Sequence, residues 1–155
     1  MAIKFINPDE EPEALGEEKR TAQITRGVRR LFLDMGYAPL CELTLITGRR
    51  VDVAGLNKKG ELIVAEVKSS IPDFKSDHKW TEYLPHCDRF FFAVNKDFPT
   101  ELIPQDVGLI IADGYGGTVM RESPTLKLAP ARRKSLTLKF ARVAAERLSY
   151  TLDES

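Results

Sequence analysis

The chain has little of what would place a protein quickly. Its two cysteines, Cys41 and Cys87, and two histidines, His78 and His86, among 155 residues fall in no CxxC or HxxxH spacing. That excludes a zinc site or disulfide framework readable from sequence, and both cysteines read as reduced and partly buried. No apolar run approaches the ~20 residues of a membrane span and no basic-then-apolar leader opens the chain, so no membrane partner and a cytoplasmic location are expected. An excess of charge is also missing, with 23 basic residues against 23 acidic ones. Any nucleic-acid surface must therefore come from uneven placement and not from the total.

The placement is uneven. Acidic residues crowd the first eighteen positions, whereas Arg132, Arg133, Lys134, Lys139, Arg142 and Arg147 make the C-terminal segment basic. A solvated helix face and a phosphate-contacting face both fit that run. At 43% hydrophobic and 30% charged residues, with no repeat or linker, the composition suits one globular domain. We expect an extended arm over residues 1–15 and a single domain over residues 16–155.

The stretch from Arg49 to Ser70 organises the rest. Val51 to Leu56 and Glu61 to Lys68 read as strands around Lys58-Lys59-Gly60, a three-residue hairpin loop with glycine at its left-handed position. If Asn57 pairs with Glu61, Asp52 falls opposite Glu66 with Cβ atoms roughly 5 Å apart on one face, and Lys68 projects from that face too. Opposed carboxylates repel unless a cation or a proton sits between them. The run leading into Glu66, Leu62-Ile63-Val64-Ala65, is apolar on both faces, as a covered central strand requires. Two carboxylates at the exit of a buried strand are a metal-site pattern suited to Mg²⁺, which keeps several waters and needs few protein ligands. The Val67 carbonyl is a candidate for a further ligand. An exposed hairpin end with a solvated Glu and Lys is the plainer alternative.

The spacing Asp-x13-Glu-Val-Lys resembles the signature of the PD-(D/E)xK, or restriction-endonuclease-like, nuclease superfamily, with Val51 where the name's proline would stand. The longer run EVKSSIPDFKSDHKWTEYLPHCDRFFFAVN resembles the MmcB-like DNA repair proteins of bacteria, and the likeness covers most of the chain. The resemblance implies an α/β fold with a core of helix, three-stranded meander, helix and strand. It also implies cleavage of DNA phosphodiesters with Mg²⁺ or Mn²⁺, with Asp52 and Glu66 as the acids and Lys68 as the lysine acting on the attacking water. Glu17, at the start of the first helix, resembles an acid that joins the metal site in many superfamily members; Glu18 competes for that role, and a helix-dipole contact explains either. The expected partners are DNA and other repair proteins. A DNA-binding or recruitment module without cutting, and an RNA-processing nuclease, are the alternatives.

The remaining elements follow from periodicity. Ile24, Val28, Leu31 and Met35, widened by Phe32, make a helix stripe that Gly36 ends. Leu40 to Ile46 reads as a first strand, with Glu42 facing solvent and a further acid near the site as the alternative. A helix is predicted from about Phe74 to Leu84, ended by Pro85. On it Lys75, Lys79 and Tyr83 form a stripe with Trp80 beside them. Lys79, Lys75, Arg49 and Arg50 are the candidates for phosphate contact, and surface charge is the alternative for the arginines. Trp80 reads as core packing, with stacking on an unpaired base as the other option. Asp73 and Asp77 read as caps or as shapers of the metal site. Strands follow at Arg89–Val94, Val107–Ala112 and Thr118–Glu122, and a helix docked by Leu136, Phe140, Val143 and Ala144 spans about Ala131 to Tyr150.

Overall fold

Short apolar runs separated by turn residues resolve into the six strands of one mixed sheet, flanked by helices on both faces. The computed structural model describes residues 12–154, with side chains from Gly16 onward. Helix α1 (Pro12–Asp34) leads into a meander of β1 (Ala38–Thr44), β2 (Arg50–Leu56) and β3 (Leu62–Val67). Helix α2 (Ile71–Ser76) and a 3-10 helix (Trp80–His86) cross over to β4 (Arg89–Val94), which lies parallel to β3. Strand β5 (Gly108–Ala112) is parallel to β4, β6 (Gly117–Arg121) returns antiparallel, and α3 (Pro130–Glu154) closes the described chain. The strands lie in sequence order across the sheet. This is the expected α/β order of helix, meander, helix and strand, extended by two strands and a C-terminal helix. Among the described residues no helix is long and apolar enough to cross a membrane.

Local chemistry accounts for the boundaries. Helix α1 buries Ile24, Val28 and Phe32 and stops at Gly36, whose φ of +89° suits a residue without a Cβ. There the Gly36 N–H donates to the Leu33 carbonyl (3.0 Å), and the Tyr37 N–H donates to that of Phe32 (2.8 Å). The Tyr37 ring packs beside Phe32, which completes a Schellman cap. Met35 lies past the last helical residue and is exposed. At the other end α1 begins at Pro12, so residues 12–15 belong to it and not to the expected arm. Residues 1–11 lie outside the described residues.

Every position of β3 is buried, because α1 covers one face and α3 with the 3-10 helix covers the other. Under α1 lie Ile63, Ala65, Phe91 and Ile110; on the opposite face Leu62, Val64, Phe90 and Phe92 meet Leu136 and Phe140 of α3. Trp80 stacks on Phe90, with centroids 5.8 Å apart, and meets Phe92 edge-on. It is therefore a packing residue and not a platform for a base. The single helix predicted from Phe74 to Leu84 is in fact two pieces, broken at residues 77–79. One oxygen of Asp77 pairs with Lys68 and the other accepts the Lys79 N–H, so a local side-chain bond displaces the helical one. Pro85 lies inside the 3-10 helix and does not end it.

Helix α1 approaches the β5–β6 turn so closely that only glycine fits at position 27. A Cβ there would lie 2.0 Å from the Asp113 carbonyl oxygen and 2.6 Å from that of Gly116. In an open helix Gly→Ala gains about 1 kcal/mol, but here neither backbone oxygen can give way. Gly27→Ala is expected to destabilise by about 1–3 kcal/mol, read as a lowered denaturant midpoint at unchanged slope.

Candidate active site

The hairpin sets the site. The Gly60 N–H donates to the Asn57 carbonyl (3.1 Å), the Asn57 N–H to that of Glu61 (3.1 Å), and Gly60 has φ +82°. The Asn57 side chain accepts from the N–H groups of Lys59 and Glu61, which fixes the loop from within. Leu56 then faces Leu62, and Val53 faces Ala65; continued by one step, the register brings Asp52 to Glu66.

The backbone ladder between β2 and β3 stops at Val53 and Ala65, and the two carboxylates replace it. The Asp52 N–H donates to Glu66 Oε1 (3.0 Å), and the Val67 N–H donates to Asp52 Oδ2 (2.7 Å). Each acid is thus clamped by the other strand. Glu66 is 5% exposed. Burial, followed by the adjacent Asp52 charge, pushes its carboxyl up to about 9. Burial raises Asp52 as well, against the pull of the Val67 N–H and the Lys68 charge. Metal-free, the pair retains a proton at neutral pH because two bare carboxylates this close and this buried repel too strongly.

Lys68, also buried, reaches away from β3. Its Nζ lies 2.8 Å from Asp77 Oδ2 and 3.9 Å from Asp73 Oδ1. Burial opposes its charge, but the Asp77 hydrogen bond and the Asp73, Asp77 and Glu66 charges prevail and hold it above the usual lysine range. Asp77 is correspondingly held below the usual carboxylate range, its burial outweighed by the Lys68 bond and the Lys79 N–H. Lys68 is therefore a fixed ammonium, a donor and not a base.

Asp52, Glu66 and Lys68 line one cleft of about 710 Å³, shared with Glu17, Glu18, Arg50, Val67, Ser69, Asp73 and Tyr83. Glu17 Oε1 accepts the hydroxyls of Ser69 (3.2 Å) and Ser70 (2.9 Å), an arrangement that ties α1 to the β3–α2 connection. The Val67 N–H is engaged by Asp52, as described. Arg50 borders the cleft, whereas Arg49 is ion-paired with Glu82 and borders a separate depression with Thr47 and Pro85. Lys75 and Lys79 are exposed and stand outside the cleft, although Lys79 is joined to Lys68 through Asp77. Of the Lys75, Lys79 and Tyr83 stripe, Tyr83 is the member that lines the cleft. Its hydroxyl donates to the Arg50 carbonyl (3.2 Å), and burial, then the Glu66, Asp52 and Asp77 charges, push it up to about 12.

Among the described residues no group of three or more His, Cys, Asp or Glu is arranged to hold a metal ion. What the cleft offers is a two-carboxylate set of hard oxygens with an excess of negative charge, which fits an ion that brings most of its shell as water.

Three of the six basic residues of the C-terminal segment bond to the rest of the domain. Arg133 pairs with Asp88, Arg132 donates to the Pro85 carbonyl, and Arg147 donates to the Cys41 and Glu42 carbonyls.

No functionally curated protein matches the chain. A protein of unknown function from Silicibacter pomeroyi is 45% identical, and its solved structure aligns over 94% of both chains with a TM-score of 0.84. A repair endonuclease from Pyrococcus abyssi is 18% identical over 60% of this chain and 40% of its own, with a TM-score of 0.31, too slight a likeness to argue from. Residues 9–155 match the family described as MmcB-like DNA repair proteins. With the hairpin, the paired acids and the lysine in place, the chain belongs to the MmcB-like family of DNA repair proteins.

Proposed function

We propose that this protein is a metal-dependent nuclease that hydrolyses DNA phosphodiester bonds, with Mg²⁺ or Mn²⁺ held by Asp52 and Glu66 and, as a further candidate, the Val67 carbonyl. The observation that carries the reading is the buried acid pair. Two carboxylates held against each other by backbone N–H groups cost stability, and a divalent cation would turn that cost into binding energy. Glu17, already bonded to two serine hydroxyls, acts on this reading by positioning the Ser69–Ser70 connection. When bound, the ion supplies charge stabilisation at the scissile phosphate and a more acidic water.

The chain's own residues do the rest. Asp52 and Glu66 give up their shared proton as the ion enters, so metal affinity rises with pH. The Lys68 ammonium donates to the attacking water or to a phosphate oxygen, and Asp77 and Asp73 hold it in place. Arg50, at the rim of the cleft, contacts the phosphate backbone, and Lys79 adds a cation on the Asp77 side. The competing reading, a DNA-binding module that does not cut, draws on the direction of Lys68, whose nearest carboxylate partner is Asp77.

The test offers labelled single-stranded, duplex, nicked, flapped and branched DNA, and one RNA, with Mg²⁺, Mn²⁺ or chelator. Cutting of at least one DNA only with metal is expected. Asp52→Asn should abolish both cutting and the calorimetric heat of metal binding. Lys68→Ala should keep the heat and lose about 10²–10⁴-fold in cutting. If no substrate is cut while DNA binding survives Lys68→Ala unchanged, the binding-module reading prevails.

A further inference from the structure

The carboxylate cleft does not end at the carboxylates. Ser69 borders both it and a neighbouring depression, and Arg20, Asn95 and Asp97 border both that depression and a third hollow of about 710 Å³. Through these shared walls the three hollows adjoin one another, a groove along α1 past the carboxyl ends of parallel strands β3, β4 and β5. In open sheets this is the side on which ligands bind. From the acid pair to the β5–β6 turn it spans three strand spacings, roughly 14 Å.

The far end of the groove carries an exposed aromatic ring. Tyr115 is 85% exposed, yet its backbone is fixed. Asp113 Oδ1 accepts the N–H groups of Tyr115 (2.8 Å) and Gly116 (3.1 Å), the Asp113 N–H donates to the Gly116 carbonyl (2.9 Å), and Arg30 donates to the Tyr115 carbonyl (3.1 Å). A Cβ at Gly116 would meet nothing within 4 Å, so the turn stands open beside the ring. Arg20 and Gln23, one turn apart on α1, line this groove, and Lys96 borders it from the β4 end. In the third hollow the Asp113 carboxylate is spent on the turn, and Asp97 is the other acid of its wall.

We infer that this groove binds a single-stranded DNA segment adjoining the cleavage site, with Tyr115 stacking on an unpaired base and Arg20 and Lys96 contacting its phosphates. An exposed aromatic beside cations is how single strands are held without sequence choice, whereas inside a duplex both faces of a base are covered by its stacked neighbours. Trp80, packed on Phe90 and Phe92, is not available for this. The inference rests on the nuclease reading for the meaning of the cleft, and it narrows the substrate to DNA with an unpaired stretch next to the cut.

Binding is measured apart from cutting, by fluorescence anisotropy in the Asp52→Asn background with chelator present. The probes are a fluorescein-labelled oligothymidylate and a blunt duplex of equal length. Tyr115→Ala is expected to weaken the single strand about 5- to 150-fold and leave the duplex unchanged, and Tyr115→Phe should restore binding. Lys96→Ala should flatten the salt slope for the single strand by about 0.7. Tyr150→Ala, at another exposed aromatic, on α3 (68% against 85% for Tyr115), should do nothing. The inference is overturned if Tyr115→Ala binds the oligothymidylate as its parent does, if it weakens the duplex equally, or if Tyr150→Ala matches it. Metal-dependent cutting with no effect of Tyr115 sinks this inference alone; Tyr115-dependent binding without cutting by the wild type sinks the nuclease reading alone.

Discussion

Asp88→Ala is expected to cost about 3–5 kcal/mol of folding stability, read as a fall in the urea midpoint at constant slope. Asp88 is 3% exposed, and its carboxylate accepts four hydrogen bonds. Two come from Arg133 (2.7 and 2.6 Å), one from the Leu62 N–H (2.8 Å) and one from the Leu128 N–H (3.1 Å). Its backbone adds two more, donating to the Leu62 carbonyl and accepting from the Leu126 N–H. One side chain thus joins β3, the start of β4, the segment before α3, and α3 itself. Alanine would leave the Leu62 and Leu128 N–H groups without partners and the Arg133 guanidinium with only the Gly60 carbonyl, and unmet buried groups cost more than a bond is worth. Arg133→Met should cost less, about 1–3 kcal/mol, because the guanidinium is one-third exposed and Asp88 keeps both backbone donors.

The same carboxylate predicts an acid limb. Burial would raise Asp88, but Arg133 and the two N–H groups outweigh it and hold the group below its ordinary 3.8. The unfolded chain then takes up the proton first as pH falls. The stabilisation is complete well above pH 3.8 and is lost as pH drops through the lower folded-state value. An Asp88→Asn variant should lack this part of the acid dependence; a pH–stability curve parallel to wild type below pH 4 would remove Asp88 as its source.

Glu66→Gln should move stability and activity in opposite directions. In the folded, metal-free protein the Glu66 carboxyl stays protonated up to about 9, while in the unfolded chain it ionises near its ordinary 4.5. Stability of the metal-free protein therefore falls as pH rises from about 4.5 towards about 9. Glutamine keeps an oxygen for the Asp52 N–H and offers an amide to the Asp52 carboxylate, with no charge to bury. Metal-free Glu66→Gln is expected to be about 1–3 kcal/mol more stable than wild type at pH 8, with a flatter pH dependence, and to lose metal-dependent cutting. Scanning calorimetry with chelator and with Mg²⁺ checks both halves. Wild type should gain stability with Mg²⁺ and the variant should not. A variant less stable than wild type at pH 8 without metal would mean the acid pair is a structural asset and not a site held at a cost.

What could be read from the sequence lies where one local rule governs. The Lys58-Lys59-Gly60 loop fixes its own geometry through Asn57 and a left-handed glycine, and the period of two along a strand then carries the register to Asp52 and Glu66 without reference to the rest of the chain. The cover on both faces of β3, the cap at Gly36 and the parallel β4 are legible for the same reason, since each depends on a run of neighbouring residues.

What the tertiary structure alone decided are partnerships across long separations. Arg133 is 45 residues from Asp88, and only the return of α3 over the β3–β4 face turns a surface-looking basic run into a buried clamp. Glu17 meets Ser69 and Ser70 because α1 lies across the end of β3. The break at Asp77, within a segment whose pattern favours one continuous helix, arises because the lysine it must satisfy sits on another element. Tyr115 looks from sequence like one residue in a glycine-rich turn. Its exposure at the head of a groove depends on how closely Gly27 lets α1 approach, and no spacing along the chain encodes that contact.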